Sequence, residues 1–202
     1  MTTPEFFNDV APIIVRDPLS EVLGAASNGL IDYTYRDVVK LAGHSCPTVA
    51  GAFLMVQEGL RLLYGDEIPV RGEIKVLMKG TLGDGVVGVI ANVASMITGA
   101  TDVGGFHGLA GKFDRRQLLF YDADIEGEMA FERVDSGARV ALSYNPSCVS
   151  GDSRMGELLP LIASGRADSA ARELFGMLWQ DRVKRILIDN KNDARLLKSI
   201  VR

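Results

Sequence analysis

Apolar positions between residues 47 and 64 recur at helical spacing. Val49, Ala50, Phe53, Leu54, Leu60 and Leu63 fall on one side, while Gln57, Glu58 and Arg61 gather on the other. The pattern predicts a helix from Pro47 to Tyr64, ended by Gly65-Asp66. The period then changes to two. Val70, Gly72, Ile74, Val76 and Met78 alternate with Arg71, Glu73, Lys75 and Lys79, as in a half-buried strand. Residues 86 to 97 are apolar almost all round. Their β-branched content favours a strand, but the length of the run with Ala91, Ala94 and Met96 predicts a buried helix. Strand-like runs follow at Gln117 to Ala123, Glu128 to Val134 and Ala138 to Tyr144, with Asp135-Ser136-Gly137 as a hairpin turn between the last two. Asp168 to Ile188 reads as one long amphipathic helix, with Ala171, Leu174, Phe175, Leu178, Trp179, Val183 and Ile186 on one face. That face is most simply core or a dimer contact.

The stretches around these elements are shorter. Residues 1 to 40 form an N-terminal appendage: an edge strand over Val10 to Val15, an interruption at Pro18, and a short helix from Leu19 to Ala26 stopped near Gly29. Thr34 is placed to cap a helical turn from Tyr35 to Leu41, and Gly43 to stop it. Gly80 to Gly85 is a turn or loop, and residues 98 to 111 hold five of the 22 glycines, a density suited to a loop that approaches something closely. Ser153 is expected to cap a short helix through Ile162, ended by Gly165. Residues 189 to 202 are charged and read as a short helix or frayed tail.

Composition narrows the classes of function. A chain of 202 residues with 47% hydrophobic and 24% charged residues can bury a proper core. Its formal charge of -4 gives no general pull toward nucleic acid or anionic lipid, so neither a nucleic-acid partner nor a membrane is expected. No apolar run is long enough to span a bilayer. Met1 to Asp9 lacks a basic n-region, which argues against a secretory signal. Two distant cysteines form no disulfide framework, and the expected compartment is a cytoplasm that keeps them reduced.

The chemistry concentrates at Gly43-His44-Ser45-Cys46-Pro47, where one of two histidines stands two residues before one of two cysteines. Pro47 suits the first helical position, which places Cys46 at a helix N-terminus whose partial positive charge favours a thiolate. A thiolate beside an imidazole is half of a metal site or a reactive thiol. The remaining soft ligands, His107 and Cys148, fall in Gly- or Ser-rich loops. All four converging would make a closed Cys₂His₂ set; three would leave a position for water or substrate. Asp84 and Asp102 are further oxygen donors, though each is commonly a turn-former. Lys112 is a charge available to an anionic substrate, and Tyr144 and Asn145 stand near Cys148.

The five-residue stretch, followed by Thr48-Val49-Ala50-Gly51, resembles the G-H-x-C-P signature of the FmdE family, named after an accessory component of formylmethanofuran dehydrogenase. Thr98-Gly99-Ala100-Thr101 is similar to that family's T-G-C-T, and Gly111-Lys112-Phe113 to its G-K element. The order helix, strand, helix, three strands over residues 44 to 144 agrees with its core. The resemblance implies an α+β fold with a mostly antiparallel sheet and a metal-binding core at 41 to 150; the helices of a C-terminal subdomain at 151 to 202 lie outside the motifs and are read from the sequence pattern alone. The resemblance also implies a metal, usually zinc, held by His44 and Cys46, a homodimer, and an oxidoreductase partner subunit. The family's cysteine in T-G-C-T is Ala100 here, so His107 and Cys148 are the chain's own candidates to complete the site. Three roles follow: a non-catalytic accessory or metal-handling protein, an enzyme whose metal acts on a small carbonyl or one-carbon substrate, and a thiol-based redox protein using Cys46.

Overall fold

The structure is a computed structural model that describes residues 3–201; Met1, Thr2 and Arg202, the outer ends of the divisions expected above, lie outside it. The fold is α+β. Among the described residues, helices α1 (Pro18–Val22), α2 (Tyr35–Ala42), α3 (Pro47–Tyr64), α4 (Val87–Thr98), α5 (Met155–Ala163) and α6 (Ser169–Lys184) are interspersed with seven strands. Strands β1 (Ile13–Arg16) and β2 (Leu30–Tyr33) pair antiparallel as a separate ribbon. The main sheet runs β4 (Leu119–Phe120), β3 (Ile74–Met78), β5 (Met129–Arg133), β6 (Arg139–Tyr144), β7 (Leu197–Val201), and only β3 with β4 is parallel. The expected order of helix, strand, helix and three strands is α3-β3-α4-β4-β5-β6.

α3 is the axis of the core. Val49 to Val56, Gly59, Leu60 and Leu63 are buried, while Arg61 reaches solvent and pairs with Glu58 at 2.7 Å. Ile74, Val76, Met78, Met129, Phe131, Val140 and Leu142 present the sheet's buried face to it. Gly59 permits the close approach: a Cβ there would stand 2.4 Å from the Phe131 ring. On the other face Glu132 joins Lys75 and Arg139, and Ile125 covers Leu77, Ala130 and Ala141. Phe7, Val10, Ile13 and Val15 from the expected appendage, and Val183, Ile186, Leu187 and Leu196 from the expected C-terminal subdomain, join the same core cluster.

Several local expectations change. Pro18 starts a helix instead of interrupting one: Asp17 caps it by accepting from Leu19 and Ser20, and the helix ends at Val22, not Ala26. The strand expected from Val70 begins at Ile74, because Gly72 turns the chain at φ +88°. The strand expected over Gln117 to Ala123 shrinks to Leu119–Phe120, bounded by positive φ at Gln117 and Asp122. Helix α5 begins at Met155 without a serine cap. The long helix ends at Lys184 and continues as a π-helical turn over Arg185–Asp189 that buries Ile186 and Leu187. The expected helical or frayed tail instead contains an edge strand, β7, because Leu197–Val201 finds a partner in β6 across a large sequence gap.

Asp17 ties the ribbon to the rest. Only 4% exposed, its carboxylate accepts from Arg71 and Arg115 at 2.7 Å each, and Arg115 is 5% exposed. Arg71 also donates to the Met96 carbonyl, near the C-terminus of α4, where a cation meets the helix dipole favourably. Arg115 opens the chain into β4 and closes the loop after α4, whose Thr101 donates to its carbonyl from both N–H and Oγ1. One carboxylate thus joins β1, α1, β3's approach and the glycine-rich loop.

Candidate metal centre

The stretch from residue 43 to 47 is held residue by residue. Thr34 and Asp37 form a capping box that starts α2, and Gly43 ends it at φ +75°, where glycine carries no Cβ penalty. The chain turns there, and His44 emerges exposed with Nδ1 2.9 Å from the Ala42 carbonyl. A carbonyl only accepts, so Nδ1 donates, and Nε2 is the ring nitrogen left without a partner among the described residues. Ser45 is gripped from two sides. Its Oγ lies 3.0 Å from the Tyr35 hydroxyl, and its carbonyl accepts from Trp179 Nε1 at 3.0 Å and Gln180 Nε2 at 3.1 Å.

Cys46 is the N-cap of α3, with extended backbone and Sγ accepting the Val49 N–H at 3.5 Å. It is half-buried against the core. Pro47 follows at the first helical position, and its carbonyl accepts the Tyr144 hydroxyl at 2.7 Å. Gly51 makes room for that ring, since a Cβ there would stand 2.3 Å from it. Burial is the main cause that raises both Tyr35 and Tyr144, so both phenols stay protonated, and Tyr144 donates to the Pro47 carbonyl. A T-shaped contact with Phe53 and another with Phe7 hold the Tyr35 ring in place.

Cys148 ends a 3₁₀ turn, Pro146–Cys148, directly after β6, and its thiol donates to the Asn145 carbonyl at 3.2 Å. Burial is the main cause that raises Tyr144, with Cys46 and Cys148 among the lesser ones. The same helix serves both loops. Trp179 and Gln180 hold Ser45, and one turn on, Arg182 donates to the Val149 and Pro146 carbonyls at 2.8 and 3.0 Å.

His107 lies elsewhere. It is exposed in the loop after α4. Asp114 is held down to about 2, first by its hydrogen bond with Arg116 and only lastly by His107. Asp84 accepts the Thr81 N–H and shapes its turn. Asp102 is exposed, with its charge felt at Tyr121; Lys112 is exposed in a tight turn with Leu109; Asn145 caps the 3₁₀ turn through Ser147. The expected four-ligand set is not assembled: among the described residues, no three of His, Cys, Asp and Glu are gathered closely enough to hold a metal ion. What the chain offers is His44 Nε2 and Cys46 Sγ at one loop, with Cys148 in the turn after β6.

Sequence pattern does not single out Tyr35, Trp179, Gln180 or Arg182 as parts of this region. Trp179 and Gln180 stand 134 and 135 positions from Ser45, so no local pattern ties them to the site. The chain matches no protein-family model and no curated protein. The resemblance to the FmdE family therefore rests on residues 43 to 51, 98 to 101 and 111 to 113. Among the described residues, no helix is long and apolar enough to cross a membrane.

Proposed function

We propose that this chain is a metal-binding protein of the FmdE-like kind its motif resembles, taking zinc or a similar transition metal through His44 and Cys46. One observation carries the reading. The Nδ1–H of His44 is engaged by the Ala42 carbonyl, the outer-shell arrangement that fixes a metal-ligating imidazole and turns Nε2 outward. Cys46, two residues on, supplies sulfur at the mouth of an 18-residue helix. Imidazole with thiolate suits zinc best among common metals. Bound there, the ion supplies Lewis acidity; His44 and Cys46 hold it, and the Ser45 clamp keeps their loop from moving.

The small number of protein donors favours an accessory or metal-handling role. A site that leaves coordination positions to outside ligands exchanges its metal more readily than a closed structural one. The same openness supports the second role, an enzyme whose metal polarises a small carbonyl or one-carbon substrate. A homodimer, an oxidoreductase partner subunit and a cytoplasmic location with both thiols reduced belong to this reading.

The test is metal analysis of protein purified without chelators, alongside His44→Ala and Cys46→Ser. Stoichiometric metal in the wild type and its loss in both variants is expected. Serine is a preferred N-cap, so Cys46→Ser keeps α3 and loses only the sulfur. Full metal content in both variants overturns the assignment. An absence of metal together with rapid alkylation of Cys46 transfers the site to thiol chemistry.

A further inference from the structure

The exposed side of α6 carries an apolar groove of about 480 Å³, bounded across from the helix by Pro4 and Phe6. Met177 lines it and is 59% exposed, a large apolar side chain that folding leaves in water. Glu173, Met177, Gln180 and Lys184 follow one another at intervals of four, three and four residues. That spacing sets them in one stripe along the helix, the kind that pairs with a second helix. The stripe begins with a negative charge and ends with a positive one. Glu173 and Lys184 are exposed, and neither is paired with another described residue. Asp181, the remaining charge on the groove, is engaged by Arg185 at 2.9 Å. The helix is anchored from behind, because Trp179 and Gln180 donate to Ser45, and Arg182 to Pro146 and Val149.

We infer that this stripe is the contact surface for a second copy of the chain, with two α6 helices packed antiparallel about a two-fold axis. The inference rests on the homodimer of the reading above and names its surface. In a two-fold contact, if one residue meets another, the second meets the first in return. With the axis between Met177 and Gln180, Glu173 meets Lys184 of the second copy, Lys184 meets its Glu173, and Met177 meets its Gln180. A parallel pairing in register sets Glu173 against Glu173 and Lys184 against Lys184, so the charges select the antiparallel one. Each Met177 then enters the groove beside Phe6 of the other copy, where a flexible thioether fills an irregular apolar space. Gln180 both lines the groove and donates to the Ser45 carbonyl, so the contact lies one side chain away from the loop of His44 and Cys46.

The experiment is sedimentation velocity over a concentration series, on full-length protein purified without chelators. The wild type is expected to dimerise reversibly. Glu173→Lys and Lys184→Glu each turn two attractions into two repulsions and raise the dimer dissociation constant about tenfold. An equimolar mixture of these two variants regains wild-type affinity, because every contact between unlike copies is again Lys against Glu. A variant that merely misfolds cannot be rescued in this way. Met177→Glu, at an exposed helical position, keeps the helical circular dichroism and is monomeric where the wild type is dimeric. A dimer that none of the three substitutions weakens overturns the α6 contact and leaves the homodimer standing on another surface. A monomer at every concentration overturns the contact and the homodimer together, while the metal content of the same preparation still decides the metal site.

Discussion

Replacing Asp17 by Asn removes one negative charge from a site that is 4% exposed and leaves the shape of the side chain almost unchanged. The carboxylate accepts four hydrogen bonds: Leu19 N–H at 2.9 Å, Ser20 N–H at 3.2 Å, and one from each of Arg71 and Arg115 at 2.7 Å. The amide oxygen of Asn preserves the two cap bonds. Arg115, 5% exposed, is then left as a buried cation without its counter-ion, because one of its terminal nitrogens has no partner even in the wild type. Breaking a buried pair in this way costs about 3–5 kcal/mol, a large part of the roughly 5–15 kcal/mol that holds a domain folded. In urea the midpoint falls by about 1 M or more at a typical slope, followed by far-UV circular dichroism. Arg115→Met leaves Asp17 with Arg71 and its cap bonds, costs less than Asp17→Asn, and makes the second substitution milder when the two are combined. A midpoint for Asp17→Asn within about 0.2 M of the wild type, at unchanged slope, refutes the buried-ion reasoning.

The same pair of proteins gives a pH signature. Burial by itself raises Asp17, but the Arg71 hydrogen bond and the Arg115 charge outweigh it and hold the carboxyl below its ordinary value. A group depressed in the folded state contributes its full stability above the unfolded value of about 3.9, and loses it as pH falls through the folded value. The stability gap between wild type and Asp17→Asn is therefore constant near neutrality and narrows below about pH 4. Two glycine substitutions should move in opposite directions under thermal or urea unfolding. Gly51→Ala drives a Cβ to 2.3 Å from the Tyr144 ring and destabilises by about 1–3 kcal/mol, whereas Gly176→Ala, with nothing within 4 Å inside α6, stabilises by about 0.5–1 kcal/mol. Thr34→Ala removes half of the capping box at α2 and costs about 1 kcal/mol in the same assay, while Thr34→Ser retains most of it.

The helices of the core are legible in the sequence because their apolar periods are long and their ends carry explicit signals. Pro47 and Gly65 bound α3, Thr34 and Gly43 bound α2, and the run at 86 to 97 is too long for a strand. The short strands are less legible. β3 and β4 are cut by Gly72 and Gln117, whose positive φ is a property of the turns they make with distant residues. β7 carries a Leu-Lys-Ser-Ile-Val run that becomes a strand only because β6 lies beside it. At the site, His44 and Cys46 announce themselves by spacing, while Cys148 is engaged with the Asn145 carbonyl of its own 3₁₀ turn. Chemistry alone groups His107 with them, and the fold carries its loop toward Arg115 instead. The Asp17 cluster is invisible for the same reason: its partners stand 54 and 98 positions away.

The grip on Ser45 sets an order on the chain's own assembly. The loop bearing His44 and Cys46 leaves the ribosome early, yet the indole and amide that hold its carbonyl lie 134 and 135 residues later. Contacts of such long range form after local ones, because a large loop must close first. A nascent chain therefore carries its imidazole and thiol on an untethered loop through most of synthesis. The finished geometry of that loop has to wait for α6, so on the proposed metal-binding reading loading is a late step in the life of the molecule.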